Sequence, residues 1–520
     1  MFRYQTFRLG KMVPLTLMLA VLLTGVWTFV KYQGFISHQH LYYLPTYGKL
    51  LRYDAGRIGN IFKPQSASAA TADPGSARSV PVLVYHGLLA KTSGENVSLD
   101  EFTDQMLALK QAGYHTVSID DFYAFMHEGK KLPAKSILIT FDDGRKDSYY
   151  TAEPVLKTLG FRATMYVITK ASFPDPGSKF VDSKYYLNQA ELLDMKHSGH
   201  WDLQAHAAYG HFYIPIDAKG SQGHYYDNKE WLASQHRLET DQEFADRVLK
   251  DLKTAQSDMQ HYLGVTSVSF AFPYNEFGAQ SVNYPESQHV LEDALSHVFK
   301  VNFYQIWPNK GASQNFPQEP GILNKRILMD NTLPTHRLMQ LLADSDAKPL
   351  PYAIDGNDTS EWLSTWGDFS WNGNTLTTSA SDTGGTMFLD GARDWHNYDV
   401  FSHMQLRAGD WFKLMLRYQD ENNYVSCTYL PNAVLMEYTR FGDTHTLVEV
   451  DNLKVPVSDL MVDGRVSGNA FTCGYNGVNY ASSSDLPNAL GYGSMGFEVW
   501  GAQVHEAKLD VSNLIARTLP

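Results

Sequence analysis

Through the middle of the chain, apolar runs of strand length alternate with helical spacings. VPVLVYH (80–86), SILITF (136–141) and ATMYVI (163–168) are short and almost wholly apolar, the signature of strands buried on both faces. Between the first two, Phe102, Met106 and Leu109 repeat at helical spacing behind Ser98 and Glu101, a capping-box pair, and Gly113 ends the run. Further helices are predicted through 153–158, closing at Gly160, and over 242–263, ahead of the strand SVSFAFP (267–273). Strands and helices alternating in this way predict a parallel α/β sheet, open or closed into a barrel, over 80–348. Polar, aromatic, Gly-containing stretches at 171–186 and 212–240 interrupt the rhythm and read as loops inserted beside a site.

After about residue 349 the period changes. GDFSWNGNTLTTSA, FKLMLRYQD, NNYVSCTYL and MGFEVWGAQVHEAKLDV are alternating runs broken by Gly, Asn and Asp, which predicts an all-β sandwich over 349–520. At the other end, Arg3, Arg8 and Lys11 precede an uncharged run over 12–30, about the ~20 residues a membrane-spanning helix needs. The charges before it predict a cytoplasmic N-terminus with the rest of the chain outside. No small-x-small cleavage site follows, so an uncleaved, single-pass signal-anchor over 1–31 is favoured over a cleaved signal peptide. Residues 32–63 show no assignable pattern. KPQSASAATADPGSARS (63–79) reads as a flexible tether, completing a juxtamembrane segment over 32–79.

Composition narrows the function. A chain of 520 residues exceeds one ordinary core and predicts two or three domains. A net charge of −13 argues against a nucleic-acid partner, because nothing neutralises phosphates, and leaves neutral or cationic glycans compatible. The aromatic surplus suits sugar stacking and sandwich cores alike. Cys427 and Cys473 are the only cysteines, so a metal would have to be held by histidines and carboxylates. One disulfide and two buried thiols are both open for that pair.

The candidate chemistry sits at strand ends. SILIT runs into Phe141-Asp142-Asp143-Gly144, at the carboxyl end of a strand, where α/β sheets place ligands. Adjacent carboxylates repel unless a metal or a raised pKa offsets them. Taken alone, Asp-Asp-Gly is ordinary turn chemistry. Gln204-Ala-His206-Ala-Ala-Tyr-Gly-His211 offers two histidines five apart, and two histidines with one carboxylate make an open first-row metal site. Ala271-Phe272-Pro273-Tyr274 ends another apolar strand, where a backbone N–H could face an oxyanion. Tyr85-His86-Gly87 ends the first strand. If these strands share one sheet or barrel, all four elements open on one face.

In this order and spacing the motifs resemble the polysaccharide deacetylase superfamily, with VPVLVYHGL, EFTDQMLALKQAGY and KLPAKSILITFDDGRKDSYYTAEPVLKTLGFRATMYVI carrying the likeness over roughly 80–340. The histidine spacing and early Tyr-His look like the branch that deacetylates poly-N-acetylglucosamine. The resemblance implies a distorted (β/α) barrel that hydrolyses amide bonds of an extracellular N-acetylhexosamine polysaccharide. It further implies a divalent metal on Asp143, His206 and His211, most simply zinc, with other first-row metals accepted. Asp142 would be the general base, His86 the general acid, and Pro273-Tyr274 the oxyanion side. Many members carry an arginine where this chain has Ala271, and Arg326 is the candidate to support Asp142 from another strand. Peptidoglycan, chitin-like or O-acetylated glycans are alternative substrates, and a non-catalytic glycan-binding protein is the alternative class. A polysaccharide synthase or export machinery is the partner such an enzyme would meet.

The C-terminal region resembles a concanavalin-like jelly roll, of the kind that accompanies carbohydrate enzymes, and glycan binding and a purely structural sandwich are both open for it. Leu389-Asp-Gly-Ala, Trp395, Arg417-Tyr-Gln-Asp420 and Asn423-Tyr424 carry that likeness.

Overall fold

The computed structural model describes residues 44–61, 76–92, 94–176, 184–307, 314–317, 322–354, 360–380, 383–440, 442–501 and 506–519. Seven parallel strands form a closed ring: β1 (Val80–Tyr85), β2 (Ser136–Phe141), β3 (Ala163–Val167), β4 (Trp201–Ala205), β5 (Ser269–Ala271), β6 (Val301–Ile306) and β7 (Leu323–Leu328). Closure comes from β1, which pairs with β2 on one side and β7 on the other. The buried strands need no polar face, because the ring interior and the surrounding helices cover both sides. Every residue of β1 and β2 is buried.

Helices lie outside the ring. Helix α2 (Leu99–Gln111) starts at Ser98, whose side chain accepts from the Glu101 N–H. The Glu101 carboxylate bonds instead to the backbone N–H and hydroxyl of Thr335, at 2.6 and 2.7 Å, so the expected reciprocal box is used to tie in a distant helix. Helix α3 (Lys146–Leu159) begins earlier than the sequence suggested and closes at Gly160 in the left-handed conformation, and α4 (Asp241–Leu263) closes likewise at Gly264.

The region without a sequence pattern contains a helix, α1 (Leu44–Ile61). Leu50 is fully buried, and Lys49 Nζ lies 2.7 Å from both Asp100 and Asp104 on α2. The tail of the expected tether is also docked, with Ser76 bridged to Pro133 and Arg78 paired with Asp394 at 2.6 Å. The expected membrane span over 12–30 lies outside the described residues. Among the described residues no helix is long and apolar enough to cross a membrane.

Residues 352–518 form two antiparallel sheets, with seven strands in one and eight in the other, packed around a shared apolar core. A Cys427–Cys473 disulfide joins a strand of one sheet to a strand of the other. Most residues behind the jelly-roll likeness are structural. Leu389, Asp390, Ala392, Trp395 and Arg417 are all buried, and Arg417 donates to the carbonyls of His396, Gly468 and Leu490.

Candidate active site

Asp142 and Asp143 follow β2, His86 follows β1, His206 follows β4, and Pro273-Tyr274 stand just past β5. Parallel closure therefore brings all of them to the carboxyl-end rim of one barrel. The backbone there is strained where it must turn: φ is positive at Asp143 (74°), Ala207 (119°) and Tyr274 (56°).

Asp143 Oδ1 lies 3.5 Å from His206 Nε2 and 3.3 Å from His211 Nε2. The three ligand atoms fall within 4.8 Å of one another, as a metal site requires. Each imidazole is oriented from behind. His206 Nδ1 is 2.8 Å from the Ala271 carbonyl, and His211 Nδ1 is 3.0 Å from the Tyr274 hydroxyl. The carbonyl makes His206 Nδ1 a donor, and both contacts hold the rings with Nε2 turned toward Asp143. Burial pushes the Asp143 carboxyl up, but hydrogen bonds from His206 and His211 and the nearby positive charge hold it well below the usual range. Two nitrogens and one carboxylate oxygen, inward-facing and braced, suit a divalent first-row ion.

Asp142 has a different environment. Its side chain is 2% exposed and receives both arms of the Arg326 guanidinium, Nη1 to Oδ1 at 2.6 Å and Nη2 to Oδ2 at 2.7 Å. Burial again raises this carboxyl, while the charges of Arg326, His206 and His86 bring it below the ordinary value. Arg326 comes from β7, crosses the barrel interior, bonds Thr140 Oγ1 at 3.2 Å, and lies over the rings of Tyr166 and Phe303. The small Ala271 is fully buried, and its carbonyl orients His206.

His86 is held through its backbone, whose carbonyl accepts from Ser148 Oγ at 2.6 Å. Its Nδ1 is buried without a hydrogen-bond partner among the described residues, and its Nε2 lies 3.7 Å from Glu95. A Cβ on Gly87 beside it would stand 2.2 Å from the buried Arg145 guanidinium, so a larger residue there has to displace that side chain.

Several supporting residues escaped the sequence analysis. Asp251 on α4 accepts from the backbone N–H groups of Ala208 and Tyr209, at 3.2 and 2.6 Å, and from the Tyr226 hydroxyl at 2.5 Å. It thereby sets the turn that brings His211 back to His206. One signal was legible: Asp251 interrupts the buried stripe Phe244, Val248, Leu252, Ala255, where an acid has no reason to sit unless something binds it.

Asp227, 1% exposed, accepts from the Gly278 N–H at 2.6 Å and ties the insertion to the loop after Tyr274. Burial raises its carboxyl from 3.8 to about 6 against the pull of that N–H. The folded state then holds this proton more tightly than the unfolded chain does. Stability from this group is therefore full below about pH 4 and is lost as pH rises through about 6. Asp227→Asn keeps an acceptor and removes the charge. It is expected to be more stable than wild type at neutral pH by up to about 3 kcal/mol, with the gain vanishing in acid. Urea unfolding at both pH values checks this, and an equal gain at each would contradict it.

Residues 129–289 match the family model for polysaccharide deacetylase. That segment of the chain is similar to polysaccharide deacetylases. The matched segment contains Asp142, Asp143, His206, His211 and Tyr274, and leaves out His86 and Arg326. A poly-beta-1,6-N-acetyl-D-glucosamine N-deacetylase of Escherichia coli K12 is 27% identical over 187 residues, 35% of this chain and 28% of that protein. The protein of the same name from Staphylococcus epidermidis is 26% identical over 179 residues, 34% of this chain and 54% of that protein. The chain thus spans between about a quarter and a half of the length of these relatives. Among solved structures, a de-N-acetylase from Aggregatibacter actinomycetemcomitans covers 51% of this chain and 100% of its own, at 20% identity and TM-score 0.43.

Proposed function

We propose that this chain hydrolyses the acetamide of an N-acetylhexosamine polysaccharide outside the cell, releasing acetate and leaving the amine on the polymer. The observation that carries this reading is the pairing of an Arg326-clamped carboxylate, Asp142, with an adjacent metal triad. The names of the relatives support the polymer class.

A divalent ion on Asp143, His206 and His211, zinc in the simplest case, would polarise the acetamide carbonyl and lower the pKa of water. Asp142 takes the proton of the attacking water, and Arg326 keeps that carboxylate ionised and aimed. The Tyr274 backbone N–H donates to the carbonyl oxygen as it gains charge. His86 delivers a proton to the amine nitrogen as the C–N bond breaks. Water is consumed, and acetate and amine are the products.

The N-terminal run over 12–30 would hold the domain at the outer face of the membrane, where an emerging polymer from a synthase or export machinery passes. The test is acetate release by the full chain from poly-β-1,6-N-acetylglucosamine, peptidoglycan, chitin oligomers and O-acetylated glycans, with metal content measured in parallel. Release from the first substrate at the highest rate is expected. A metal-loaded protein that releases acetate from none of them is not this enzyme.

A further inference from the structure

Beside the triad stands a ledge of rings, of which the reaction above uses only the backbone N–H and the hydroxyl of Tyr274. Tyr213 is 53% exposed and Tyr274 45% exposed, with ring centroids 5.7 Å apart. His224 lies 4.7 Å from Tyr213 and 4.9 Å from Tyr274, and Tyr274 lies 4.4 Å from the His211 ring. At the ledge, Glu276 Oε1 is 3.4 Å from His224 Nε2.

The ledge is built on fixed backbone. Tyr213–Pro215 pairs antiparallel with Gln222–His224. The insertion is then fastened to the loop after Tyr274 at three points. Asp227 accepts from Gly278 N–H at 2.6 Å, Asn228 accepts from Val282 N–H at 2.9 Å, and Asn283 donates to Lys229 O at 2.9 Å. Large rings held out to solvent by a braced scaffold lose little entropy when a ligand covers them. A pyranose presents a face of C–H groups that stacks on such rings, with hydroxyls at its edge for a carboxylate and an imidazole. Tyr274 links the two sites, because its hydroxyl holds His211 while its ring belongs to the ledge.

We propose that Tyr213, His224 and Glu276 form a subsite for the sugar unit adjoining the one that is deacetylated, which rests on the glycan reading above. The subsite reads chain length: it adds affinity for an oligomer and none for a single unit.

The test titrates chelator-treated full chain with N-acetylglucosamine, and with its oligomers, by calorimetry, so that binding is measured without turnover. Wild type is expected to bind oligomers more tightly than the single unit. Tyr213→Ala is expected to lose about tenfold of that gain, or ~1.4 kcal/mol, while Tyr213→Phe keeps it. His224→Ala and Glu276→Gln supply second variants at the same ledge, and circular dichroism checks their folding. Equal length dependence in wild type and Tyr213→Ala, or no oligomer binding at all, overturns the subsite. Acetate release by the metal-loaded protein is scored separately. Release with an unchanged oligomer KM in Tyr213→Ala removes the subsite and leaves the deacetylase. A Tyr213-dependent length step without release does the reverse.

Discussion

Arg326→Met is expected to lower stability by about 3–5 kcal/mol and acetate release by at least ~100-fold. The side chain is 1% exposed and spans the barrel interior to make both hydrogen bonds to Asp142. Methionine fills much of the volume but leaves a buried carboxylate without its cation, the arrangement that is most destabilising when one partner of a buried pair is removed. The carboxyl then answers to burial, the largest influence on it, which favours the protonated form that cannot accept a proton from water. Arg326→Lys should recover little, because an ammonium cannot make two parallel bonds to one carboxylate. Urea unfolding and acetate release measured on the same preparations check both halves. Wild-type rate and stability in Arg326→Met would mean that Asp142 does not depend on this partner.

His206→Ala is expected to strip the metal and cut acetate release roughly a thousandfold, equal to ~4 kcal/mol of transition-state stabilisation. His206 supplies one of three ligand atoms and is the most buried of the three residues. With it gone, Asp143 and His211 remain as a two-point site, and the Ala271 carbonyl loses the ring it orients. Chelation of wild type should reproduce the loss, and added zinc should restore wild type but not the variant. Metal content by mass spectrometry separates a lost ion from a lost base: Asp142→Asn should keep the ion. Full metal content and rate in His206→Ala would remove this triad from the chemistry.

The candidate site was unevenly legible. Asp142, Asp143, His86 and Tyr274 could be placed on a common rim from the sequence, because each follows an apolar run and parallel strands end on the same side. Arg326 could be named only as a candidate, since its distance from Asp142 depends on which strands neighbour each other in the ring. Asp251 and the Tyr213–His224–Glu276 ledge were missed. Their partners lie across loops whose paths no local pattern encodes. The helix at Leu44–Ile61 was missed for a related reason: its amphipathic face becomes meaningful only once Leu50 and Lys49 meet α2.

Local periodicity, which depends only on side-chain spacing, determined by itself the alternation of strands and helices, the change to an all-β region, and the strand ends that carry titratable groups. Tertiary structure alone decided that the sheet closes, that β7 delivers Arg326 to Asp142, and that Cys427 meets Cys473. Those outcomes are pairings between segments far apart in the chain. Their energies come from burial and charge compensation in the assembled interior, which no stretch of sequence contains on its own.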